Sequence, residues 1–256
     1  MERWYLAFAT LLVAAAGVLG LRAVRRGGHS RWTVWLMAGG FVVQLIALNE
    51  RGKLRGQCPL EDYGEILLFL AWSLVLFYLL VGPAYRLSLL GLFTAPVVVV
   101  FHVVALIPGM METEVVKATE LDPWGETHGA TSVLSYGAFA LAAVAGMMFL
   151  VLNKQLKQAK LRTGLFQNLP PVSSLIASQV RLVWMGLVLM SVGMVSGYMM
   201  AGERDGGDIH LNVARAVWLA YFFMMIWYHW RGITPKRFSV MVMVFFVGSL
   251  TVFAFL

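Results

Sequence analysis

Long apolar runs alternate with short polar segments along the whole chain. A helix needs about 20 mostly apolar residues to cross a bilayer. Eight segments meet this requirement, and the second and seventh are the weakest because they contain Gln44, Asn212 and Arg215. We expect these spans near residues 4–21, 32–49, 65–82, 86–107, 130–152, 182–200, 210–230 and 238–256. The pattern predicts an all-α polytopic membrane bundle of about eight helices.

The connecting segments are too short for a separate soluble domain, so we expect residues 1–256 to form a single integral membrane domain. The longest one follows the fifth span. Residues 153–162 read as a helical extension of that span, and their lysines would face anionic lipid headgroups. Pro170 and Pro171 end the connection, and a new helix then leads into the sixth span.

Composition agrees with a membrane protein and excludes several other classes. Apolar residues make up 60% of the 256-residue chain and charged residues only 13%, whereas a soluble domain carries about 25% charged residues. A disordered chain, a disulfide-rich secreted domain and a typical soluble enzyme are therefore excluded. We attribute the net charge of +7 to basic loop residues that set the orientation in the membrane, rather than to binding of nucleic acid. Cys58 is the only cysteine, which excludes an intramolecular disulfide.

The loop charges predict the orientation of the bundle. One side carries thirteen cations and no acid; the other carries twelve acids and six cations, counted without Glu2 and Arg3. The thirteen cations are Arg22, Arg25, Arg26, Arg31, Arg86, Lys154, Lys157, Lys160, Arg162, Arg181, Arg231, Lys236 and Arg237. The positive-inside rule makes that side cytoplasmic, so both termini lie outside. The first basic cluster follows the first apolar run, as in an uncleaved helix rather than a signal peptide. A bacterial inner membrane fits this multi-pass chain.

This orientation places the histidines at different depths. His128 and His210 begin the fifth and seventh spans at their outer ends, and His229 ends the seventh span on the cytoplasmic side. His102 lies roughly 9 Å below the outer end of the fourth span. Neutral imidazole is a suitable ligand for haem iron. The alternative is that histidines at helix ends are ordinary interface residues and that His102 makes a hydrogen bond between helices.

Other motifs indicate little chemistry. No metalloprotease, phosphate-loop or nucleophile motif is present, so we expect an accessory protein rather than an enzyme. Trp124 lies four residues before His128 in an acidic outer loop, and either the membrane interface or a porphyrin could contact its indole. Cys58 would be an outer thiol. Methionine also ligates haem iron, but the methionines of the sixth span are more simply explained by packing against lipid and other helices.

Residues of about 125–250 resemble the cytochrome c assembly family, which includes the haem-handling proteins CcsA and CcmC, and are most similar to its short HemX/YpjD-type members. Residues 128–139 (HGATSVLSYGAF) are similar to the family's outer histidine followed by a Leu-Ser-Tyr-Ala segment. Residues 220–232 (AYFFMMIWYHWRG) are similar to its penultimate span. The third matching stretch is Leu169-Pro170-Pro171, Arg181-Leu182 and the spaced glycines Gly186, Gly193 and Gly197.

The resemblance implies haem handling at the outer face. His128 falls on the family's first outer haem-ligand histidine, and His229 falls near a histidine proposed to receive haem from the cytoplasmic side. The family's tryptophan-rich signature is missing, because residues 203–210 read ERDGGDIH. Its second outer histidine would follow the eighth span, where this sequence stops at Leu256. That His210 replaces this missing ligand is our own hypothesis.

Three functions follow as hypotheses. The first is a haem-binding and haem-delivering protein that works with other cytochrome c maturation proteins. The second is a HemX-type regulator of tetrapyrrole synthesis, in which basic loops 22–31 and 153–165 bind a soluble pathway enzyme such as glutamyl-tRNA reductase. The third is a small-molecule transporter, which Gln44 and the glycine-bearing sixth span would support. The absence of an inverted repeat argues against the transporter.

Overall fold

The protein is built from helices, as the hydropathy pattern predicts. The computed structural model describes residues 2–26, 30–82, 88–111, 117, 122–157, 172–200 and 209–250. These ranges contain no strand and form eight helices. The helices are α1 Glu2–Arg25, α2 Arg31–Arg55, α3 Tyr63–Val81, α4 Ser88–Leu106, α5 Pro123–Lys157, α6 Val172–Met200, α7 Ile209–Trp230 and α8 Pro235–Ser249.

Seven of these helices, α1 to α7, are long and apolar enough to cross a membrane. The chain is therefore a polytopic helical membrane bundle. The eighth predicted span is described only over the 15 residues of α8, and residues 251–256 lie outside the described part of the chain.

Several helices extend beyond the predicted spans, and α5 and α6 extend furthest. The fifth span was expected at 130–152, but α5 covers 35 residues and begins at Pro123. The sixth span was expected at 182–200, and the helix that was expected to lead into it is present, because α6 begins at Val172. Hydropathy marks the part of a helix that lies in lipid, whereas backbone hydrogen bonds continue into the polar flanks. The predicted extension of span five is confirmed as far as Lys157.

α5 is the central helix, and it packs against α3, α4, α6 and α8. Small residues let its neighbours approach closely. A Cβ on Gly137 would clash with Ser73 Oγ of α3, and a Cβ on Gly186 of α6 would clash with the Phe139 ring. Phe139 also stacks on Tyr221 of α7, with ring centroids 4.1 Å apart. Spaced glycines thus serve close helix packing here.

The starts of α1, α3 and α5 lie at the same end of the bundle as the ends of α2, α4 and α6, and several contacts join them. Glu2 pairs with Arg51 at 3.6 Å, and the Gly64 N–H donates to the Met110 carbonyl at 2.7 Å. A Cβ on Gly125 would lie 3.2 Å from Met200 Cε. We call this the predicted outer end, because the loop charges predict that it faces away from the cytoplasm.

A buried ion network joins α2 and α3 at this end. Arg51 and Arg55 are only 1% and 2% exposed, and Glu65 is fully buried. One oxygen of Glu65 accepts from Nε of both arginines, at 2.5 Å from Arg51 and 2.9 Å from Arg55. Asp62 Oδ2 accepts from the Nη2 of each, at 2.9 Å and 3.0 Å. We call these four residues the outer ion network.

The same carboxylates cap α3. Asp62 is the N-cap residue, and its side chain accepts from the Glu65 N–H at 2.9 Å. Glu65 completes a capping box by reaching back with Oε2, which also accepts from the Glu61 N–H at 3.0 Å. Buried charges persist only when each is paired and hydrogen-bonded, and this arrangement meets that requirement. The sequence pattern counted these residues only as outer loop charges.

The network supports a stability prediction. Glu65→Gln removes the charge that both guanidiniums share, and breaking a buried pair in this way costs about 3–5 kcal/mol. We expect a large fall in the thermal unfolding midpoint in detergent. Glu50→Gln is the control, because Glu50 pairs with the mostly exposed Lys53 and such surface pairs contribute about 1 kcal/mol or less. Equal midpoints for the two variants would contradict the structural role of Glu65.

Candidate functional site

His128 lies early in α5 and faces α6. Its Nδ1 is 2.7 Å from the carbonyl oxygen of Gly193. A carbonyl oxygen only accepts hydrogen bonds, so Nδ1 carries the proton and Nε2 carries the lone pair of the neutral ring. A hydrogen bond of this kind is what fixes the tautomer and orientation of a metal-ligating histidine. The partly buried His128 is thus oriented with Nε2 as its Lewis base.

Two glycines on α6 let α5 approach closely, and Gly197 makes room for this imidazole. A Cβ on Gly197 would lie only 2.7 Å from His128 Nδ1. One turn earlier, a Cβ on Gly193 would lie 2.6 Å from Ser132 Oγ. We call this depression, formed by Gly193 and Gly197, the α6 notch. The family resemblance marked these glycines, but only the structure shows that one of them seats the histidine.

The start of α7 borders the same notch. A Cβ on Gly197 would also lie 3.2 Å from Leu211 Cδ2. His210 precedes Leu211, so its backbone begins α7 close to the notch, whereas its side chain lies outside the described part of the structure. The pairing of His128 with His210 stays a prediction.

Trp124 lies in the first turn of α5, at the same end of the bundle. Its side chain is 49% exposed, and its backbone N–H donates to Asp122 Oδ1 at 3.0 Å. The helix therefore includes Trp124, which the sequence pattern placed in a loop. An exposed indole here is accessible to lipid and to a ligand alike, so both interpretations of Trp124 stay open.

His102 is fully buried in α4 and faces α1 rather than the notch. Its Nδ1 lies 3.2 Å from Thr10 Oγ1, and that hydroxyl donates to the Leu6 carbonyl at 2.7 Å. Nδ1 is therefore the donor to Thr10, and Nε2 again carries the lone pair. Within the described ranges this Nε2 is buried without a hydrogen-bond partner. The predicted helix-to-helix hydrogen bond of His102 is present.

A further buried polar side chain lies on α2. Gln44 is fully buried, and neither its amide oxygen nor its amide nitrogen has a hydrogen-bond partner in the described residues. Gly40, one turn away on α2, faces Val13 of α1, so Gln44 lies near the level of Thr10. The interior of the α1–α4 half is therefore more polar than its hydropathy indicates.

His229 lies at the other end of the bundle. α7 has 22 residues, which corresponds to roughly 33 Å between the level of His210 and the helix's far end. The exposed His229 ring donates from Nδ1 to the Met225 carbonyl at 2.8 Å and lies 6.1 Å from the Trp184 ring, centroid to centroid. The structure therefore separates His229 from His128.

Haem needs fewer protein ligands than a bare metal ion does. No group of three or more His, Cys, Asp or Glu side chains is placed to hold a metal ion in the ranges that the structure describes. A porphyrin supplies four nitrogen ligands itself, so iron needs only one or two axial side chains from the protein. One oriented imidazole such as that of His128 meets this requirement.

Cys58 borders a cleft of about 560 Å³ at the predicted outer end, between α2 and α3. Burial raises the pKa of its thiol to about 11, and the negative charges of Glu126 and Glu65 add to this effect. A thiol with this pKa is almost wholly protonated at neutral pH, so Cys58 is not a nucleophile there.

This gives a prediction for thiol chemistry. Because only the thiolate reacts, the rate of Cys58 alkylation by a water-soluble maleimide will still rise between pH 9 and 11. Glu126→Gln removes one of the negative charges that raise the pKa of the Cys58 thiol. The pKa therefore falls and alkylation at pH 8 becomes faster, whereas Glu50→Gln leaves the alkylation rate unchanged. A wild-type rate that levels off near pH 8.5 would contradict the raised pKa.

Comparison with known proteins connects this geometry to a family. The sequence model of the cytochrome c assembly protein family matches residues 60–255. The cytochrome c biogenesis protein CcsA of Pyropia yezoensis is 26% identical over 255 residues, covering 82% of this chain and 79% of the relative. CcsA of Chlamydomonas reinhardtii is 25% identical, over 78% of this chain and 59% of that protein.

A relative with another name is also similar. Protein HemX of Brevibacillus brevis is 26% identical over 204 residues, covering 77% of this chain and 71% of HemX. The family match extends from just before α3 to the last residues of the sequence, and it therefore includes both His128 and the α6 notch. The chain belongs to the cytochrome c assembly protein family.

Proposed function

We propose that this protein binds haem at the outer face of the membrane and delivers it for cytochrome c maturation. The observation that carries the proposal is the orientation of His128. Its Nδ1 donates to the Gly193 carbonyl at 2.7 Å, and a hydrogen bond of this kind fixes the tautomer and orientation of an iron-ligating histidine. Similarity to cytochrome c biogenesis proteins supports the same role.

In this proposal haem is cargo, and each side chain has a simple task. His128 holds the iron through Nε2, and the α6 notch fixes the ring. His210 is the candidate for the second axial position, and Trp124 for contact with the porphyrin face. Two axial imidazoles leave no open position on the iron, so the site suits carriage better than oxygen chemistry. Partner proteins of the maturation pathway would attach haem to the apocytochrome.

The remaining histidines belong to other places in the molecule. We keep His102 as a candidate haem contact inside the α1–α4 half, and His229 as one at the opposite end, where haem could enter from the cytoplasm. Both rings present Nε2 as the basic nitrogen, because their Nδ1 atoms donate to Thr10 and to the Met225 carbonyl. A bacterial inner membrane is the proposed location.

A second candidate function is regulation of tetrapyrrole synthesis. Similarity to HemX favours it, together with the basic residues at cytoplasmic helix ends, which include Arg22, Arg25 and Lys154. The protein would then bind a soluble pathway enzyme through loops 22–31 and 153–165. Part of both loops lies outside the described residues.

Optical spectroscopy tests the haem site. Detergent-purified wild-type protein is expected to show a Soret band and sharp reduced α and β bands. His128→Ala removes the axial ligand and should abolish these bands. His210→Ala should convert a low-spin spectrum to a high-spin one if His210 is the second ligand. An unchanged spectrum in His128→Ala would contradict the outer site.

A glycine variant tests the notch itself. Gly197→Ala places a methyl group 2.7 Å from Nδ1 and should displace the ring, which weakens haem retention roughly tenfold, as expected for about 1.4 kcal/mol. Gly39→Ala is the matched control, because its Cβ would meet Leu12 at an ordinary 3.7 Å. Equal haem retention in both variants would show that Gly197 does not position His128.

Neutralising the lysines of loop 153–165 separates the two candidate functions. Regulation predicts that tetrapyrrole control is lost while any haem spectrum stays intact. Haem delivery predicts that cytochrome c maturation continues. The measurement is haem content and mature cytochrome c in cells that carry the variant, beside cells that carry the wild-type protein.

A further inference from the structure

The cleft beside Cys58 has the form of a binding site for an amphiphile. It runs along α2 from Leu45 to Gly56, which is eleven residues or about 16 Å, close to half of the hydrocarbon thickness. Its deeper part is apolar and its outer part is polar. The deeper lining includes Leu45, Leu48 and Phe69, and the outer lining includes Lys53, Cys58 and Glu126.

The cleft opens on the surface of the bundle rather than into its core. Leu45 is 45% exposed and lies on the face of α2 that a bilayer would contact. A ligand could therefore enter from the surrounding lipid, with its apolar part at the depth of the hydrocarbon and its polar part at the interface.

Two side chains that line the cleft each carry a buried polar atom without a hydrogen-bond partner in the described residues. Glu126 Oε1 and Trp72 Nε1 are both buried, and neither has a hydrogen-bond partner in the described part of the chain. Buried polar atoms are nearly always hydrogen-bonded, because an unpaired one costs about 1–3 kcal/mol. Each atom specifies a different ligand group: the carboxylate oxygen needs a donor, and the indole N–H needs an acceptor.

The depths of these atoms restrict the ligand further. Trp72 lies nine residues into α3, and helical side chains lean towards the helix N-terminus, so its indole is on the order of 10 Å below the outer end of α3. Glu126 lies in the first turn of α5, at the outer end. The ligand therefore carries a donor at the interface and an acceptor several ångströms deeper.

We propose that this cleft binds a phospholipid whose headgroup carries a primary amine, from the leaflet at the predicted outer end. The ammonium group donates to Glu126, and a charge-assisted bond of this kind is stronger than a neutral one. The phosphate lies near Lys53, whose side chain is 63% exposed at the rim. An ester carbonyl accepts from Trp72 Nε1, and the acyl chains follow Leu45 and Phe69.

The same geometry gives a lipid preference. A phosphatidylglycerol headgroup can donate to Glu126 only through neutral hydroxyl groups, whose hydrogen bonds are weaker than that of an ammonium group. A choline headgroup is cationic but has no N–H to donate. Phosphatidylethanolamine satisfies both unpartnered atoms, and it is the lipid to which the proposal commits.

Native mass spectrometry of the full chain in detergent tests this directly. The delipidated protein is incubated separately with phosphatidylethanolamine, phosphatidylglycerol and phosphatidylcholine, and bound lipid is counted. We expect wild-type protein to retain phosphatidylethanolamine about tenfold better than phosphatidylglycerol, the effect of one charge-assisted hydrogen bond. Equal retention of the two lipids overturns the proposal without the need for any variant.

Matched variants locate the binding. Glu126→Gln should lower phosphatidylethanolamine retention roughly tenfold and remove the preference, and Trp72→Phe should lower it about threefold. Glu50 does not line the cleft, and Glu50→Gln only releases Lys53 from its ion pair, so this variant should not lower phosphatidylethanolamine retention. Circular dichroism and gel filtration establish that each variant is folded. Retention that Glu126→Gln leaves unchanged, or that Glu50→Gln lowers equally, contradicts the assignment.

Discussion

The burial of charge at the predicted outer end constrains the rest of this bundle. Arg51 and Arg55 can lie inside a membrane protein only because Glu65 and Asp62 accept hydrogen bonds from both guanidinium groups. These bonds set the level of α2 against α3, and the same carboxylates begin α3 through its capping box. The cleft that ends at Cys58 lies directly beside this fixed pair of helices.

α5 carries the outer histidine and links α3 and α4 to α6 and α8. Its small and aromatic residues contact α3 and α7, while its first turns pack on α6. His128 and Glu126 lie two residues apart on this helix and therefore face different neighbours: the α6 notch and the cleft at α2 and α3. One rigid helix thus supports both the proposed haem site and the proposed lipid site.

The sequence predicted the helices well, because apolar length decides what can cross a bilayer. It did not predict the outer ion network, since Arg51 and Glu65 read only as loop charges until tertiary structure pairs them. It located His128 through family resemblance, but the proton on Nδ1 depends on Gly193, which is 65 residues away. The partners of His102 and the unpaired amide of Gln44 likewise depend on contacts between helices.

The central claim is that Nε2 of His128 binds haem iron. Anomalous diffraction at the iron edge, recorded from crystals of the haem-loaded protein, tests it most directly because it locates iron independently of the side-chain fit. The account predicts an iron peak in bonding contact with Nε2 of His128, beside the α6 notch and at the same end as Trp124. Iron beside His102 or His229 with none at His128 would contradict it.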